Sequence, residues 1–240
     1  MSLVRWEKDE TVAVVYMDNG ANRQNIDYAN AMIAVLDEVL EDESIKALVL
    51  TSADEKNWSQ GVDLEWLGER LNEGDEESMR AFLYGMNDVY RKILLYPMPV
   101  IAAITGHAFA GGAILSCACD FRFMRSDRGY FCFPEVDLSI PFLPGMNAWV
   151  RKAIPEYKFQ EMKYTGKRYT ASELEEHHII VKACENPDET LNESIAFAKT
   201  FNKKRGIFGE MKKRMHKTII DIMQNEDKEY IEPLFMMIQE

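Results

Sequence analysis

Along the chain, compact apolar blocks alternate with stretches whose apolar residues recur every three or four positions, which predicts strands and helices in turn. Residues 11–17 (TVAVVYM), after an early charged stretch, form a strand block that stops at the turn Asp18-Asn19-Gly20. Ile33, Leu36, Val39 and Leu40 share one helical face, and that helix is expected to stop near Asp42. Residues 46–52 (KALVLTS) read as a short strand, followed by the polar loop ADEKNWSQG and a helix whose period is carried by Leu64, Leu67 and Leu71. The acidic run NEGDEES (72–78) reads as a solvated loop, and residues 79–95 as another helix.

Residues 99–105 (PVIAAIT) predict a buried strand, residues 112–119 a helix, and DFRFMR and GYFCF two more strand-like blocks. Residues 144–154 and 156–164 read as helices, 179–183 (IIVKA) as the last strand, and the chain after Pro187 as helical to its end. Strands and helices in this rhythm predict an α/β fold with buried parallel strands. The 27 residues 93–119 carry no charge, more than the roughly 20 that span a bilayer. Pro97, Pro99, Gly106, Gly111 and Gly112 break that run, so it reads as a strand, a loop and a helix rather than a membrane span.

The 240 residues, 47% hydrophobic, suffice for one sizeable core. Asp and Glu number 40 against 28 Lys and Arg, and the net charge of -12 argues against nucleic acid and anionic membranes as partners. Cys117, Cys119, Cys132 and Cys184 follow no CxxC spacing, so neither a metal site nor a disulfide framework is expected, and a reduced, cytoplasmic setting fits. The N-terminal residues lack a signal-peptide pattern, and no export is expected. Residues 203–217 are a local exception, with seven Lys or Arg against Glu210 alone. They read either as a solvated helix face or as a contact for a phosphorylated ligand.

Candidate chemistry gathers at two loops. In GHAFAGGAILSCACD (106–120), Gly111-Gly112 comes just before a helix, where unblocked N–H groups and the positive end of the helix dipole suit a developing oxyanion. Tight packing of strand on helix explains the same glycines equally well, and the phosphate-loop spacings GxxxxGK[ST] and GxGxxG are absent. WSQGVDLEWL (58–67) repeats the arrangement: strand, glycine bend, helix.

The pairing of KALVLTSADEKNWSQGVDL with PVIAAITGHAFAGGAILSCACDFRF and then FPEVDLSIP resembles the crotonase superfamily of enoyl-CoA hydratases and isomerases, over about residues 46–155. The resemblance implies a spiral of repeated ββα units: an acyl-CoA-binding core over residues 1–190 and a C-terminal helical segment over 191–240 that builds homotrimers or hexamers. It implies an acyl-CoA thioester substrate, no cofactor beyond that CoA, and an oxyanion hole from the backbone N–H groups of Val62 and Gly111. Trp58, Gly61, Asp63, Ile114 and Phe142 are the implied substrate contacts. Hydratases of this kind use two glutamates to hold a water; here the first position is Ile114 and the second is Glu135.

One base can still shuttle one proton, the pattern of 3,2-enoyl-CoA isomerases. Hydratase, thioesterase or decarboxylase chemistry, or acyl-CoA binding without turnover, are the alternatives. Glu135 reads either as an exposed strand-end carboxylate or, among Phe131, Phe133, Pro134, Phe142 and Leu143, as a desolvated base with a raised pKa. Asp137 ranks second, on the opposite face if the segment is extended. His107 reads as loop packing rather than catalysis, and Ser59 and Ser116 lack a triad context. Met236 and Met237 read as core or subunit-contact filler.

Overall fold

The computed structural model describes residues 2–235, so Met236 and Met237 lie outside the described residues. In chain order the first half contains β1 (Val4–Asp9), β2 (Val12–Met17), β3 (Arg23–Gln24), α1 (Ile26–Glu41), β4 (Ala47–Ser52), β5 (Asn57–Ser59), β6 (Gly61–Val62), α2 (Leu64–Glu73) and α3 (Glu76–Leu94). Then follow β7 (Val100–Ile104), β8 (His107–Phe109), α4 (Gly111–Ala118), β9 (Phe121–Arg125), β10 (Phe131–Cys132), a 3-10 turn (Pro134–Val136), α5 (Pro144–Ala153), α6 (Glu156–Thr165) and α7 (Ala171–Glu176). The last elements are β11 (Lys182–Cys184), α8 (Pro187–Lys199), α9 (Arg205–Met215), α10 (Lys217–Asn225) and α11 (Lys228–Ile231).

The main sheet has six strands in the order β1-β2-β4-β7-β9-β11. All its pairings are parallel except β1 with β2, so the charged opening stretch is itself an antiparallel edge strand rather than a lead-in. Side chains alternate faces with period two. Val12, Val14, Ala47, Val49, Ile101, Ala103 and Phe123 meet α8, while Ala13, Val15, Leu48, Leu50, Ala102, Ile104 and Met124 face the larger core with α1, α3 and α4.

Each central strand hands over to a short strand before its helix: β4 to β5 and β6 to α2, β7 to β8 to α4, β9 to β10 and the 3-10 turn to α5. The short strands β10-β8-β5 form a second, parallel sheet, and β3 pairs β6. This is the spiral of ββα units, and it stacks three strand-to-helix turns side by side.

Several expectations need correction. NEGDEES is helical except at Gly74-Asp75: Gly74 closes α2 in the left-handed conformation and Asp75 caps α3 at once, leaving no loop. The last strand begins at Lys182, because Ile179 and Ile180 turn inward to fill the core. The boundary expected at 190 falls inside α8, whose Leu191 and Ile195 pack on the sheet. The helices beyond it, α10 and α11, fold back against α5 and α3. The uncharged run 93–119 is divided among α3, β7, β8 and α4, and no helix among the described residues is long and apolar enough to cross a membrane.

Candidate active site

The first loop is shaped by its pairing with β3. Asp63 N–H donates to Gln24 O at 2.9 Å, so in this parallel ladder the preceding N–H, of Val62, points away from β3. Gly61 makes the bend at φ +78. Asp63 then caps α2 by accepting from Trp66 N–H and takes a second bond from Asn25, so its carboxylate serves the fold and does not line the cavity described below. Trp58, expected to touch substrate, is wholly buried in the hydrophobic core and does not line the cavity.

The second loop ends at Ala110, which holds φ +48 as the N-cap of α4 and offers no side-chain cap. The first N–H groups of α4 have no acceptor within the helix, and Gly111 opens that turn. Gln24, fully buried and itself part of the cavity lining, donates from Nε2 to the Gly111 carbonyl at 3.1 Å. Sequence reasoning missed Gln24, since a polar residue next to a turn gives no periodic signal.

Val62, Gly111, Ile114, Glu135 and Phe142 come together around one cavity of about 300 Å³, closed on its other sides by apolar residues of α3 and α5. Gly61 lies just behind the wall, against Gly111. The 3-10 turn rolls Glu135 inward, 7% exposed, and leaves Asp137 exposed. The segment is therefore coiled rather than extended, and Asp137 does not reach the cavity. Phe133 packs edge-on against Phe131 and Phe142 beside the carboxyl.

Glu135 Oε2 is sealed from solvent and has no hydrogen-bond partner among the described residues. Burial pushes its pKa up to about 8, against smaller opposing pulls from a backbone N–H and the Lys163 ammonium. The cavity wall thus brings together Val62, Gly111, one carboxyl with raised proton affinity, and the apolar side chain of Ile114, 3% exposed.

His107 stacks beside Phe109 and Tyr130 and accepts from Tyr130 N–H through Nδ1 at 3.2 Å, which is the packing role. Ser59 and Ser116 donate to the carbonyls of Asn22 and Ala113, and the four cysteines are free and buried.

A sequence model of the family described as enoyl-CoA hydratase/isomerase matches residues 7–234. The chain belongs to the enoyl-CoA hydratase/isomerase family. The peroxisomal enoyl-CoA delta isomerase 2 of Arabidopsis thaliana is 25% identical over 224 residues, 90% of this chain and 92% of that protein. A short-chain-enoyl-CoA hydratase of Clostridium acetobutylicum is 30% identical over 190 residues, 78% of this chain and 70% of that protein. Among solved structures, an apo Mtb enoyl-CoA isomerase superposes with a TM-score of 0.84 at 21% identity, over 97% of this chain and 98% of that one. A Mycobacterium ulcerans enoyl-CoA hydratase does so with 0.84 at 22% identity, over 97% and 99%. Both show the crotonase fold.

This hydratase/isomerase family member is thus an enzyme of acyl-CoA chemistry, with relatives of both reaction types. Part of its basic segment is engaged within the fold, while Lys203, Lys204 and Lys213 are exposed. Lys212 is buried and donates to Ile93 O at 3.0 Å and Asp120 Oδ2 at 2.8 Å. Arg205 caps the end of α1 by donating to the carbonyls of Leu40 and Ile45 at 2.8 and 2.9 Å. Arg214 and Lys217 pair with Glu210 and Asp221 on their own helices.

Proposed function

We propose that the enzyme is a 3,2-enoyl-CoA isomerase in which Glu135 is the only base. The observation that carries this reading is the composition of the cavity wall: among the described residues one carboxylate, Glu135, lines it, and Ile114, at the position where the family resemblance implies a hydratase's first glutamate, lines it too. The thioester oxygen sits between the N–H groups of Val62 and Gly111, and their preorganised dipoles stabilise the enolate by about 3 to 4 kcal/mol each. Glu135 removes a proton from the alpha carbon of a 3-enoyl-CoA, and the electron pair delocalises onto the thioester oxygen and along the chain. The same carboxyl returns a proton at the gamma carbon, which leaves the double bond conjugated and Glu135 ionised again. A carboxylate that resists ionisation is the stronger base, which suits a weakly acidic C–H.

The step moves a proton and no electrons between partners, so the reading needs no cofactor beyond the substrate's CoA. Homotrimers or hexamers complete the proposal, and the C-terminal helical segment is their contact element. In its support, α9 exposes Ile207, Met211 and Met215 at four-residue spacing.

Glu135→Gln tests the base. Folding and affinity for CoA esters are expected to stay near wild type while isomerase turnover falls at least about a hundredfold. Persisting turnover would mean that Glu135 is not the base.

A further inference from the structure

A second hollow of about 230 Å³ lies on the outer side of the catalytic carboxyl, bordered by Val136, Lys163 and Tyr164. It shares three lining residues with the apolar cavity: Glu135, Ile140 and Pro141. The two hollows therefore adjoin at these three residues. Lys163 reaches into this region from α6, with Nζ 4.8 Å from the Phe142 ring centre and 5.7 Å from that of Phe159. It donates to Asn147 Oδ1 and has further N–H groups to offer. Its charge and that of Glu135 each act on the other's proton affinity, so the two groups lie within electrostatic reach. Val136 and Tyr164 are exposed at the rim, 50% and 71%, so the hollow opens to water.

We propose that this outer hollow is a proton port, through which Glu135 exchanges with solvent, past Lys163, the proton it has taken from substrate. The inference rests on the isomerase reading for its use in turnover. The balance is simple: the protonated carboxyl gives its proton to a water in the hollow and takes another from it, and no bond to carbon changes during the exchange. The port competes with direct return of the same proton to the gamma carbon.

The test is turnover of a 3-enoyl-CoA in deuterium oxide, scored by mass spectrometry, together with alpha-hydrogen exchange of a saturated acyl-CoA. Wild type is expected to place solvent deuterium in the 2-enoyl product. Val136→Phe, which fills the hollow from an exposed position, and Lys163→Met are each expected to lower deuterium incorporation per turnover at least about fivefold, because the proton's route is narrowed or its relay removed. Isomerisation without deuterium, or with incorporation unchanged in both variants, overturns the port and leaves the isomerase standing. Exchange of the saturated ester without isomerisation, slowed in the variants, supports the port and overturns the isomerase. Neither reaction in wild type overturns both.

Discussion

The alpha carbon of Gly61 sits so close to the backbone nitrogen of Gly111 that a methyl group on residue 61 would lie 2.6 Å from it. The two loops proposed to supply the oxyanion donors are thus in contact through a position that admits no side chain, and the bend at φ +78 favours glycine as well. Gly61→Ala is expected to destabilise the fold by roughly 1 to 3 kcal/mol and to lower kcat at least about tenfold by spreading the two donors. Thermal unfolding and steady-state rates check it, and an unchanged kcat in a folded variant would detach Gly111 from the oxyanion hole.

The pH dependence follows from Glu135. Its ordinary value is 4.5 and burial raises it to about 8, so the base form accumulates only as pH climbs and kcat/KM is expected to rise toward an inflection near 8. For stability the sign is opposite. A carboxyl whose pKa is raised in the fold contributes stability that is complete below its unfolded value of 4.5 and is lost as pH rises through about 8. Glu135→Gln escapes that loss, so its stability relative to wild type is expected to grow between about pH 5 and about pH 9. Denaturant midpoints at both ends decide it; a constant difference would mean that the carboxyl is not desolvated.

Lys212 and Asp120, 92 residues apart, form an ion pair whose side chains are 5% and 15% exposed. Removing one partner strands a buried charge, so Lys212→Met is expected to cost about 3 to 5 kcal/mol of stability. The same variant is expected to leave unchanged the preference for acyl-CoA over its dephospho form. A lost preference in a stable variant would return the lysine to the ligand.

The legible part of this molecule was the part that repeats a period. The runs around Val14, Leu48, Ile101 and Phe123 gave the central strands because alternation across a doubly covered sheet leaves every position apolar. Val62, Gly111 and Glu135 could be singled out through the family resemblance of their loops, and the structure brings all three to one cavity. Short strands such as β5 and β8 escaped detection, because three residues cannot display a pattern. Gln24 escaped for the same reason, and Trp58 misled because motif proximity says nothing of which face a side chain takes. Lys212 looked like a surface charge because its partner is remote in sequence.

On the proposed mechanism, one carboxylate can move a double bond but cannot by itself hold the water of hydration. The most direct measurement gives wild-type enzyme a 3-enoyl-CoA and, separately, the matching 2-trans-enoyl-CoA, and resolves both products by mass. Isomerisation is expected to be at least about a hundredfold faster than hydration, since Ile114 has no group that can activate water. Hydration at a rate comparable to isomerisation would contradict it.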